Sequence, residues 1–87
     1  MNINSERAKK YFDKHPIVEI YRGYEIRDNN GLFLVDAAIG IYSTISNYIE
    51  GCYEFINELA DRDIKQYDVE TVMKYLIERD KLKYKYV

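Results

Sequence analysis

The chain has 87 residues and carries 13 Lys and Arg against 15 Asp and Glu, a net charge of −2. That length makes one thin-cored domain, burying about 60–65% of the surface its unfolded form exposes, and the near-balanced charge excludes a global basic field for nucleic acid or anionic lipid. A single cysteine excludes an internal disulfide, MNINSERAKK lacks the apolar centre of a signal peptide, and no apolar run nears the roughly 20 residues of a membrane span, so a cytoplasmic protein is expected.

Ser5 is positioned to cap a first helix, ERAKKYFDKH, in which Ala8, Tyr11 and Phe12 recur at helical spacing. Pro16 ends it, and the restriction that proline places on its predecessor turns His15 out of the helix. From Ile17 the side chains alternate as in a strand. Val18, Ile20, Tyr24 and Ile26 fall on one side, and Glu19, Tyr21, Glu25 and Arg27 on the other. Arg22 interrupts the apolar row, and Gly23 beside it suggests a bulge. Asp28-Asn29-Asn30-Gly31 is turn chemistry, with Asn30-Gly31 suited to a tight hairpin. A second strand from Leu32 to about Ala37 is apolar on both faces, which marks it as central. A short third strand near Ile39 to Tyr42 completes the meander.

The next helix has the clearest period. Asn47 followed by Glu50 matches a capping box, and Ile49, Cys52, Tyr53, Ile56, Leu59 and Ala60 form one apolar stripe. Gly51 costs up to about 1 kcal/mol against Ala in a helix, so its presence points to a close approach to the sheet. After a linker from Asp63 to Tyr67, Asp68 caps a last helix with Val69, Val72, Met73, Leu76 and Ile77 on one side. The tail KLKYKYV alternates basic and apolar residues and fits a lysine-guarded edge strand as well as a helix end. The expected fold is α+β: an N-terminal helix, a three-stranded antiparallel meander, then two helices packed on one face (αβββαα).

Ten Tyr, three Phe and no Trp raise the question of an aromatic platform for single-stranded nucleic acid on the first hairpin. Arg22 and Arg27 there face Glu19, Glu25, Asp28 and Asp36, a local charge that repels phosphate, so the rings are read as core, with Tyr21 expected at the surface. Charge is segregated: residues 1–27 carry net +2, residues 28–70 net −7 and residues 71–87 net +3. The acidic middle concentrates on the second helix, where Glu50, Glu54 and Glu58 succeed one another at four-residue intervals with Asp61 beyond. Like charges at that spacing cost an isolated helix a few tenths of a kcal/mol per pair. Such a stripe is the candidate partner-binding surface, suited to a basic groove on a host protein; the simpler reading is a solvated helix face with Arg62 pairing back to Glu58.

No catalytic residue, cofactor or metal site is expected. The glutamates lack an accompanying histidine, and no calcium-type loop occurs. His15 is assigned to the last carbonyls of its helix, Cys52 to the core, and the four glycines match no phosphate-binding fingerprint.

The run Tyr21-Arg22-Gly23-Tyr24-Glu25-Ile26, the hairpin after it and Tyr53-Glu54-Phe55-Ile56-Asn57-Glu58-Leu59 resemble a recurring class of small phage and mobile-element proteins. In that class a meander precedes a helix of the form E-A-x-x-F-I-D-x-L. The likeness spans residues 17–60, with Gly51-Cys52 in place of Glu-Ala and Asn57 in place of Asp. In size, element order and acidic middle the chain is also similar to some anti-CRISPR proteins, which inhibit an RNA-guided nuclease by occupying its duplex-DNA site with acidic surfaces. These resemblances imply a non-enzymatic interaction protein, an inhibitor of a host nucleic-acid-handling protein. The alternative is a nucleic-acid-binding accessory protein using Lys74, Lys81, Lys83 and Lys85 with Tyr84 and Tyr86. A homo-oligomer joined through the tail strand is a third.

Overall fold

A computed structural model describes the backbone of residues 6–85 and the side chains of residues 6–81. The elements run α1 (Glu6–Lys14), β1 (Ile17–Tyr21), β2 (Tyr24–Asn29), β3 (Leu32–Ala38), β4 (Tyr42–Ser46), α2 (Ile49–Ala60) and α3 (Val69–Lys85). The class is α+β as expected, with a four-stranded antiparallel sheet in the order β1-β2-β3-β4 instead of three strands. No helix among the described residues is long and apolar enough to cross a membrane.

The extra strand comes from Arg22-Gly23, which is a two-residue turn and not a bulge. Both residues have positive φ, 51° and 83°, as the tight hairpin turn matching strand twist demands. Arginine rarely adopts that conformation, but here its guanidinium is anchored on α2 by Asn57 Oδ1 at 2.9 Å and Asp61 Oδ1 at 2.8 Å. The turn also changes the expected faces. Tyr21 pairs with Tyr24 and Glu19 with Ile26, so Glu19 and Tyr21 share the helix side with Tyr24 and Ile26, while Ile20 faces away beside Glu25.

Asn30-Gly31 forms the second hairpin as read from sequence, with φ of 55° and 89°, and Asp28 Oδ1 accepts the Gly31 N–H. The last strand lies later than expected, at Tyr42–Ser46, because β3 runs on through Asp36 to Ala38 and the chain reverses only at residues 39–41.

Helix α2 lies on the face carrying Tyr24, Ile26, Val35 and Ala37, where its Cys52, Ile56 and Leu59 are fully buried. Its capping box is not formed: the N-cap is Tyr48, without a side-chain cap, and Ser46 Oγ accepts the Tyr48 N–H. Gly51 does mark a close approach, since a Cβ there would stand 2.5 Å from Ser46 Oγ. Asp68 caps α3 as expected, accepting from Thr71 N–H and Thr71 Oγ1, and these bonds hold its carboxyl below the usual carboxylate range. Val72 of α3 is buried, whereas Met73 and Ile77, assigned to the same side from spacing, are exposed: α3 leans on the core along a narrower line than an amphipathic period implies. The stretch Lys81–Lys85 is helical, not a strand; Ser5, Tyr86 and the side chains of Lys83, Tyr84 and Lys85 lie outside the described residues.

Helix α1 occupies the opposite face of the sheet. Arg27 and Asp36, 8% and 3% exposed, point that way and hold it. Arg27 Nη1 donates to the His15 carbonyl at 2.8 Å with its guanidinium over the Phe12 ring, and Arg27 Nη2 reaches Glu25 at 3.1 Å. Asp36 accepts from Tyr11 Oη at 2.6 Å and Ser43 Oγ at 2.5 Å. The His15 ring therefore does not cap its own helix; its Nδ1 lies 3.1 Å from the Asp28 carbonyl of β2.

Regular pairing of β2 with β3 covers only Arg27↔Leu34 to Asn29↔Leu32. Beyond it, Gln66 from the α2–α3 linker fills the gap between strands: its Oε1 accepts the Glu25 N–H and its Nε2 donates to the Asp36 carbonyl, both at 2.8 Å. Tyr67 N–H donates to the Ala37 carbonyl, and its ring meets Phe12 beneath the sheet. The linker thus stitches both layers to the sheet.

Candidate functional site

The acidic stripe of α2 divides according to how the helix crosses the sheet. With Cys52, Ile56 and Leu59 turned down, Tyr53 and Asn57 descend toward the β1–β2 hairpin, Phe55 and Glu58 toward β4, and Glu50, Glu54 and Asp61 are left exposed.

On the hairpin flank, the Tyr53 and Tyr21 rings stack with centroids 4.3 Å apart. Tyr21 is therefore half-buried, not the exposed ring expected from sequence. Tyr21 Oη donates to Asn57 Oδ1 at 3.1 Å, and Asp61 accepts an ion pair from Arg22 at 2.8 Å. Tyr53 Oη donates to Glu19 Oε2 at 2.5 Å. That hydrogen bond, with desolvation and the charges of Glu19 and Glu50, pushes the Tyr53 phenol up to about 12.

On the β4 flank, Tyr42 Oη donates to Glu58 Oε1 at 2.7 Å and accepts from Arg79 Nη1 of α3 at 3.0 Å, while its ring packs on Phe55 at 4.8 Å. Burial and the Glu58 hydrogen bond raise the Tyr42 phenol. Arg62 does reach back to Glu58, but to the backbone carbonyl, with its guanidinium above Tyr75. The structure therefore leaves Glu50 and Glu54 on one outward ridge, ties Glu58 into the fold through Tyr42, and engages the exposed Asp61 in an ion pair with Arg22. Among the described residues no ion pair reaches Glu50 or Glu54.

The aromatic rings of the first hairpin pack inward: Tyr24 is buried and its hydroxyl donates to the Ile64 carbonyl at 2.6 Å. Lys74 and Lys81 pair within α3, with Glu70 and Glu78. Among the described residues no group of three or more His, Cys, Asp or Glu side chains is arranged to hold a metal. Cys52 lies in the core, where burial raises its thiol. An open cleft of about 780 Å³ lies at the end of the β1–β2 hairpin, lined by Ile20, Arg22, Glu25, Lys65 and Gln66 among others, and a smaller one of about 460 Å³ lies against α1 beside Glu6, Arg7 and Lys10.

Sequence spacing located the acidic helix face but missed Glu19 as part of the same surface. The signal lay in Arg22-Gly23: read as a two-residue turn, it puts Glu19 on the α2 side. Comparison with known families, with characterised proteins and with solved structures finds no match to this chain.

Proposed function

We propose that this chain is a non-enzymatic interaction protein that binds stoichiometrically, through the carboxylates of Glu50 and Glu54 on α2, to a basic groove of a host nucleic-acid-handling protein. The observation that carries the reading is the outward ridge itself. Two like charges one helical turn apart, exposed and supplied with no internal cation among the described residues, oppose helix stability by a few tenths of a kcal/mol. Against a basic partner they accelerate encounter and set orientation. The resemblance to small phage and mobile-element proteins supports an inhibitor acting on a defence protein, where a negative ridge takes the place of phosphates.

The test uses the immobilised chain to capture host proteins, then follows the association of a captured partner across a salt series. Glu50→Lys together with Glu54→Lys is expected to slow association and flatten its salt dependence, and duplex DNA is expected to compete with the wild-type chain. Unchanged association by the doubly reversed variant would remove the reading.

A further inference from the structure

We propose that the outer edge of β1 is a strand-pairing site for an extended segment of a partner protein that alternates basic and aliphatic residues. The inference rests on the acidic-ridge reading above and adds how the partner is held. Strand order leaves β1 and β4 as the edges of the sheet. At β4 the roof is built by Tyr42 under Phe55 and Arg79. At β1 the aliphatics stand in solvent: Ile17, Val18 and Ile20 are 45%, 49% and 64% exposed. The strand IVEIY has no lysine or proline to discourage pairing, the devices by which proteins commonly guard an edge. Its one irregularity, between Ile17 and Glu19, confines a regular added ladder to the Val18–Tyr21 end.

The two faces beside this edge differ in chemistry. On the α2 side lie the carboxylate of Glu19, already engaged by Tyr53, and Glu50, which neighbours Tyr53 at i, i+3 on α2. On the other side lie Ile17 and Ile20, with the hairpin cleft opening next to Ile20. A strand laid along β1 sends successive side chains to opposite faces. Lysines or arginines at one parity then meet Glu19 and Glu50, and an aliphatic at the other parity covers Ile20, while main-chain hydrogen bonds supply the common attachment. A second copy of this chain fits poorly, because pairing β1 with itself brings Glu19 and Glu50 against their own counterparts.

The experiment titrates isotope-labelled chain with a capped peptide of alternating lysine and valine, observed by amide chemical shifts. Shifts centred on Ile17–Tyr21 are expected, lost when alternate amides of the peptide are N-methylated or when glutamate replaces lysine. Ile20→Lys, a surface change monitored for intact fold by circular dichroism, is expected to weaken binding roughly tenfold by placing a like charge at the edge. Binding that shifts only the Glu50–Glu54 region and survives N-methylation would overturn strand pairing while sparing the acidic ridge. No shift at either place would overturn both. Sedimentation as a dimer with protected β1 amides would assign the edge to a second copy and overturn the proposal.

Discussion

Gln66 and Glu25 are joined twice: the Gln66 side-chain Oε1 accepts the Glu25 N–H at 2.8 Å, and its Nε2 donates to the Glu25 carbonyl at 3.4 Å while also reaching Asp36. A side-chain amide stands where the peptide of a neighbouring strand would stand. Gln66→Ala leaves a strand donor and acceptor without partners and is expected to cost about 2–3 kcal/mol, read as a lowered urea midpoint. Gln66→Glu keeps the acceptor and loses the donor, so a stability equal to wild type would show that the bridge is not needed.

Gly51 is expected to reverse the usual helix preference. Replacing glycine by alanine inside a helix ordinarily gains up to about 1 kcal/mol. Here the new Cβ would stand 2.5 Å from Ser46 Oγ and 3.0 Å from Ser46 Cβ, so Gly51→Ala is expected to destabilise by about 1 kcal/mol. Ser46→Ala in the same chain removes the nearer clash, and the two changes are expected to be less damaging together than their sum, measured by a double-mutant cycle.

Alkaline pH is expected to unfold the protein through its phenols. Tyr24, by burial, and Tyr53, chiefly by its bond to Glu19, are pushed up to about 12 from their ordinary value of 10.0. Above pH 10 the unfolded chain releases protons that the folded chain still holds, so stability is complete below pH 10 and declines as pH rises toward 12. Tyr24→Phe removes one of these groups and is expected to shallow the decline, while costing about 1 kcal/mol at neutral pH through the lost bond to Ile64. Denaturant unfolding at several alkaline pH values reads both effects.

Within the acidic stripe, stability should separate the residues that the fold uses from those it does not. Glu54→Lys relieves like-charge neighbours and is expected to leave stability unchanged or raised by a few tenths of a kcal/mol. Glu58→Ala removes the acceptor of the Tyr42 hydroxyl and is expected to cost about 1 kcal/mol. Thermal unfolding of the two variants side by side makes the comparison.

Patterns confined to a few neighbouring residues were legible in the sequence. The stripe of α2, the Asn30-Gly31 hairpin and the Asp68 cap each depend on contacts within one or two turns of chain, and each is present. The Arg22-Gly23 turn was not legible because arginine acquires its positive φ from Asn57 and Asp61, residues more than thirty positions away. The same holds for Asn47, whose expected cap is displaced once Ser46 takes the Tyr48 N–H at the end of β4. At the candidate site, spacing marked four carboxylates as equivalent; only tertiary partners, Tyr42 for Glu58 and Arg22 for Asp61, separate those two from Glu50 and Glu54. The roles of Arg27, Asp36 and Gln66 are wholly tertiary, since no local rule announces a buried ion or an amide that substitutes for backbone.

Strand neighbours in space are also neighbours in the chain, and this bears on biosynthesis. Each hairpin can close as soon as its second arm leaves the ribosome, with little loop entropy to overcome. The seam between the middle strands has to wait until residue 66 is made, so a nascent chain arrested before that point holds a sheet unzipped along part of its centre.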